Sequence, residues 1–147
     1  MSSKALLLLL DKLDGEERQA AAQLTAARQQ LQLLQQQQQT LSQYQRHYSQ
    51  EFQNRGREGL SAHQYGHFQG FIDKLEVAQR QQLEGLQQAR AQVEQSRAGW
   101  LQVRSRRQAI ARLLEREALR KEQAAARSEQ KMLDNMAIYR FHKHRHS

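Results

Sequence analysis

The chain contains no proline in 147 residues. At average usage near 5%, a globular chain of this length would carry about seven. Proline removes a backbone donor and clashes with the preceding turn, so it breaks helix interiors. A chain without any can run as helix almost throughout. The residues that dominate favour the same outcome, since Ala, Leu, Gln, Arg and Glu are the strongest helix formers. Glutamine alone accounts for 27 positions. Apolar residues make up 38% and aromatics 6%. That is too little for a thick globule and enough for a narrow seam between helices.

Two periodic segments carry that seam. In the first, spacings of three and four select Ala20, Leu24, Ala27, Leu31, Leu34, Gln38, Leu41, Gln45, Tyr48 and Phe52. This is a heptad-like stripe with two polar interruptions, the pattern of a helix packing along one line. The run Gln35–Gln39 reads as a solvated helix face rather than a disordered tract, because a sustained leucine stripe surrounds it. The second segment holds the same rhythm through Phe68, Ile72, Leu75, Gln79, Leu86, Ala89, Val93, Trp100, Val103, Ile110 and Leu114. Beyond about Glu117 the seam weakens while helix formers continue.

Between them lies Asn54-Arg55-Gly56-Arg57-Glu58-Gly59-Leu60. Gly56 is a natural left-handed C-cap, and Ser61 with Gln64 three residues on reads as a capping box opening the next helix. A short connection between long helices makes them antiparallel neighbours. The expected fold is therefore all-α: a long antiparallel two-helix coiled-coil hairpin whose second helix is the longer. One domain spans 1–147, with helix 5–54, turn 55–60, helix 61–140 and a basic His-rich tail 141–147. Folding at the glycines sets Tyr44 opposite Phe71, Tyr48 opposite Phe68 and residue 5 near residue 110. At 1.5 Å per residue the first helix measures about 75 Å, and an overhang of about 30 residues adds roughly 45 Å.

Chemistry-bearing patterns are few. There is no cysteine, which excludes thiolate chemistry and permits a reducing compartment. The run Leu6–Leu10 is short for a signal peptide, and charged residues follow it at once. No stretch approaches the ~20 apolar residues of a membrane-spanning helix, so the expected location is cytoplasmic. No phosphate-binding glycine loop or catalytic triad order is present, and a two-helix hairpin has no concave pocket for catalysis. The chain is expected not to be an enzyme and to need no cofactor. His47, His63 and His67 lie near the turn without enough companions for a metal site. The alternating histidines of the tail are separated by Lys143 and Arg145, which repel a cation.

Two features point to binding. Tyr44, Tyr48, Phe52, Tyr65, Phe68 and Phe71 gather around the turn, either as a packed plug or in part as a docking surface. If Phe68, Ile72 and Leu75 face the partner helix, Phe71 turns to a flank. There it joins Leu75, Ala78 and Gln82 in a second short stripe, a candidate docking surface. Segment 104–121 sets seven cations, including Arg104, Arg107, Arg112, Arg116 and Arg120, against Glu115 and Glu117. It reads either as a solvated face with i,i+4 pairs or as an electrostatic contact for an acidic ring, channel or nucleic acid. Only Trp100 is interleaved, so base stacking has no support.

Four motifs in order give the chain a family resemblance. Leu41-x-x-Tyr44-x-x-x-Tyr48 precedes the glycine break, and Phe71-Ile72-x-x-Leu75-Glu76-x-Ala78 follows it. Next come Trp100 and Arg106-Arg107-x-Ala109-x-x-x-Leu113-Leu114-Glu115-Arg116, then Gln130-Lys131-x-Leu133-Asp134-x-x-Ala137. Over about residues 5–140 the chain resembles the flagellar type III export protein FliJ family. The resemblance implies an antiparallel coiled coil similar to the gamma stalk subunit of rotary ATPases. It implies a non-enzymatic role in the flagellar export ATPase complex, as a stalk inserted into the hexameric ATPase ring. It further implies contact with the membrane export gate protein and handling of export chaperones. The family's gate-contact positions map onto Phe71, Leu75, Ala78 and Gln82, and the ring contact is assigned to Arg104, Arg107, Arg112, Arg116 and Arg120. The implied location is cytoplasmic and peripheral at the inner membrane, held there by partners, with no nucleic acid bound. The equivalent stalk protein of a virulence-type secretion system and a basic nucleic-acid-binding coiled coil are the alternative readings. Asn135, where the family usually carries an acidic residue, and the His-rich tail depart from the pattern.

Overall fold

The computed structural model describes residues 2–145, which form two α-helices: α1, Ser3–Glu58, and α2, Ala62–Arg145. They pack against each other as an antiparallel all-α hairpin, and α2 is the longer, with 84 residues against 56. Both helices begin on side-chain caps. Ser2 Oγ accepts from the Ala5 amide at 3.2 Å, and Ser61 Oγ accepts from the Gln64 amide while Gln64 Oε1 accepts from the Ser61 amide. The second arrangement is the reciprocal capping box expected from the sequence, satisfying donors that a helix start leaves orphaned.

The end of α1 differs from expectation. Gly56 lies inside the helix, and the left-handed residue is Gly59, at φ +96°. The helix is extended through its last turn by contacts that need it. Phe52 packs on Tyr65 and Phe68, with ring centroids 5.5 and 5.8 Å apart, and the Arg55 guanidinium sits 5.4 Å from the centre of the Phe68 ring. Moving the fold-back to Gly59 shifts the register. Tyr48, not Tyr44, meets Phe71, and Phe52, not Tyr48, meets Phe68. The displacement is four residues, about one helical turn, so the same faces stay inward.

Contacts divide the chain into two compact units, one joining 1–17 to 102–147 and the other spanning 18–101. In the 18–101 unit the core consists of Leu24, Ala27, Leu75, Leu86 and Ala89, with Leu86 only 1% exposed. No residue of α1 from 28 to 58 is fully buried. Along that stretch the seam is partly polar: Gln79 Nε2 donates to Gln45 Oε1, and Gln82 Nε2 donates to the Leu34 carbonyl at 2.9 Å. In the other unit Leu6 and Leu13 are buried, and Ile110 and Leu114 of α2 are half-buried. Lys121 Nζ donates to Ser3 Oγ at 3.0 Å. Beyond it α2 continues to Arg145 with every residue from Ala118 exposed. Four basic residues in its last turn favour the negative end of the helix dipole.

Candidate functional site

At the turn, aromatic residues from both helices build a cluster. Tyr48 and Phe71 stack with ring centroids 4.3 Å apart and planes inclined by 37°. With Glu51, Arg55, His63, Gln64, His67 and Phe68 they line an open depression of about 550 Å³. Its floor is aromatic and its rim carries Arg55, His63 and His67 against Glu51. Tyr44 does not join the cluster; it stands exposed beside Thr40, Gln43 and His47.

The stripe Phe71, Leu75, Ala78 and Gln82 is not uniformly accessible. Leu75 is buried, Ala78 is half-buried, and the Gln82 amide is held by the α1 backbone. Phe71 is half-buried and lines the depression. The flank anticipated for it is instead the edge of the seam, because the one-turn shift of register places Tyr48 beside it. The sequence places His63 and His67 near the turn, but not their gathering with Arg55 around an aromatic depression. The i,i+4 spacing of the two histidines, one turn from a fold-back, was its only signal.

The five arginines of segment 104–121 divide by surroundings. Arg107 is drawn into the hairpin: its Nε bonds the Glu17 carboxylate and lies 3.8 Å from Asp14. A half-buried cation bridging two carboxylates on the facing helix ties α1 to α2 at a fixed register, which a surface pair does only weakly. Arg112 and Arg116 are exposed, and Arg120 lies 3.6 Å from Glu117 one turn back. Arg104 is exposed one turn before Arg107. The tail continues α2 as helix through Arg145, while His146 and Ser147 lie outside the described residues.

Among the described residues, no group of three or more His, Cys, Asp or Glu side chains is arranged to hold a metal ion. None of their helices is long and apolar enough to cross a membrane. What the arrangement offers is binding surface: an aromatic depression at a turn, and a long exposed basic helix.

These features define an all-α helical-hairpin protein of coiled-coil type. The sequence profile of the flagellar FliJ protein family matches residues 2–146, and the chain belongs to that family. The family makes it a component of the flagellar export apparatus, of a kind known as non-catalytic. Among curated proteins none matches the chain.

Proposed function

We propose that the chain is the stalk and chaperone-escort component of the flagellar type III export ATPase complex. The observation that carries this reading is the run of α2 beyond Lys121, whose Nζ donates to Ser3 Oγ of α1. From there to Arg145 α2 continues as a helix whose every residue is exposed. A lone helix is about 10–12 Å across with its side chains, narrow enough for the central opening of a ring. Its basic approach suits an acidic lining. Arg104, Arg112, Arg116 and Arg120 meet the hexameric ATPase directly. Arg107 contributes by holding α1 in place through Asp14 and Glu17.

The export gate is met at the turn. Phe71 is the principal contact there, with Ala78 beside it, while Leu75 and Gln82 shape the seam that presents them. The depression beside Phe71 supplies the aromatic floor that anchors at interfaces favour. Association with the inner membrane then follows from the gate, and export chaperones are passed on from the same surfaces. A pull-down from the native flagellated cell with the full chain as bait tests this. Recovery of a hexameric ATPase and a membrane gate protein is the expected result. Recovery of neither, with the bait folded, contradicts it.

A further inference from the structure

One face of α2 is absorbed by neither the seam nor the turn. Arg112, Arg116, Arg120 and Arg127 follow one another at spacings of four, four and seven, so they form a single row along the outer side of the helix. All four are exposed. The inward side of the same segment carries the half-buried Ile110, Ala111, Leu114 and Glu117. From Arg112 to Arg127 the row contains no carboxylate; further on, Asp134, which accepts from Gln130 Nε2 at 3.0 Å, lies on the same side before Ile138 and Phe141. Glu115 and Glu122 lie off to one side, and Glu117 reaches Arg120 from the inner side.

Large apolar side chains accompany this row. Leu113 and Leu119 flank it on either side at 44% and 54% exposed, and Ile138 and Phe141 continue it at 55% and 63%. A solvated charged face has no use for two half-open apolar groups beside its arginines and two more beyond them. A surface that offers anionic phosphates above an apolar layer uses both kinds.

We propose that this outer face of α2 binds the anionic lipid surface of a membrane directly. The arginines meet headgroup phosphates, while Leu113, Leu119, Ile138 and Phe141 enter the boundary between headgroups and acyl chains. Arginine suits this role because its planar fork bonds phosphate oxygens in pairs and its stem lies along apolar surface. Nucleic acid shares the phosphates but offers no continuous apolar layer for a row of aliphatic side chains. Like charge disfavours a second copy of the chain: residues 118–145 carry seven Lys and Arg against three Asp and Glu. The face shares Arg112, Arg116 and Arg120 with the ring contact proposed above. The helix beyond Lys121, with Ile138 and Phe141, is also the part the stalk reading places in the ring, and neither reading rests on the other.

The test is co-sedimentation of the full chain with vesicles, at moderate salt. Vesicles of phosphatidylcholine with about one-third phosphatidylglycerol should carry the protein down, and vesicles of phosphatidylcholine alone should not. Arg112→Glu with Arg116→Glu should abolish the binding. Leu119→Ser with Phe141→Ser should weaken it about tenfold, because inserted apolar area is lost. All four positions are exposed, and unchanged helicity by circular dichroism checks the fold. Absence of binding to anionic vesicles overturns the proposal. So does full binding by the Leu119→Ser, Phe141→Ser variant, which would leave only undirected charge attraction. So does tighter binding to a DNA duplex at equal phosphate concentration that this variant retains unchanged. The measurement uses no ATPase, so its failure is separate from any failure of the stalk reading.

Discussion

Tyr48 of α1 and Phe71 of α2 stack with their ring centroids 4.3 Å apart. This contact ties the proposed docking residue to the hairpin itself, so Phe71 both packs and presents. Phe71→Ala should lower stability by about 1–3 kcal/mol, combining lost burial with the lost aromatic pair. It should also weaken binding to the export gate protein. Phe71→Leu keeps much of the burial, so it should recover stability more than gate binding. Equal recovery of both would count against Phe71 as a contact residue. Thermal melts and a binding titration with the gate's cytoplasmic part measure the two effects.

The position of the fold-back is testable with two glycines. Gly59 has φ +96° and Gly56 is helical, and neither has an atom within 4 Å of an added Cβ. Gly59→Ala should therefore destabilise by about 1 kcal/mol or more, through backbone strain alone. Gly56→Ala should stabilise by about 0.5–1 kcal/mol, as alanine does inside a helix. If the two effects came out reversed in urea melts, the turn would lie at Gly56 instead.

Arg107 is expected to be a register pin. A double-mutant cycle with Arg107→Ala and Glu17→Ala should give a coupling of about 1 kcal/mol, larger than most exposed pairs. The coupling should shrink as salt is raised, because the pair is only partly shielded from solvent. A coupling indistinguishable from zero at low salt would remove Arg107 from this role.

Gln45 and Gln79 meet across the seam where apolar residues would pack more strongly. Replacing both with leucine should raise the melting temperature by several degrees, corresponding to about 1–2 kcal/mol. Polar residues at seam positions hold register and oligomeric state at a cost in stability. The double variant should therefore also show a tendency to self-associate on size exclusion. A variant that is less stable than the parent would show that the glutamine pair is favourable in itself.

Much of this protein was legible in its sequence, for identifiable reasons. The absence of proline and the three-four leucine spacing act along the whole chain, so two long helices followed from them without ambiguity. The Ser61–Gln64 capping box is local chemistry within four residues, and it formed as read. Register was not local. Gly56 and Gly59 are equally able to end a helix, and what separated them was Phe52 and Arg55 reaching Tyr65 and Phe68 across the turn. That choice moved the aromatic pairings by one turn and set Tyr48 rather than Tyr44 against Phe71. The engagement of Arg107 was hidden for the same reason, since Asp14 and Glu17 lie some ninety positions away in the chain. The outer row from Arg112 to Arg127 was visible as charge, but its meaning needed the opposite side of the helix to be assigned to the seam.

The most direct test of the stalk assignment is ATP hydrolysis by the hexameric export ATPase with the full chain or with a chain ending at Lys121. The shorter chain keeps the bond from Lys121 to Ser3 and every half-buried residue of α2, so the paired part of the hairpin is retained. Loss of stimulation, with gate binding intact, is the result expected if the lone basic helix enters the ring. Undiminished stimulation by the shorter chain would contradict that assignment.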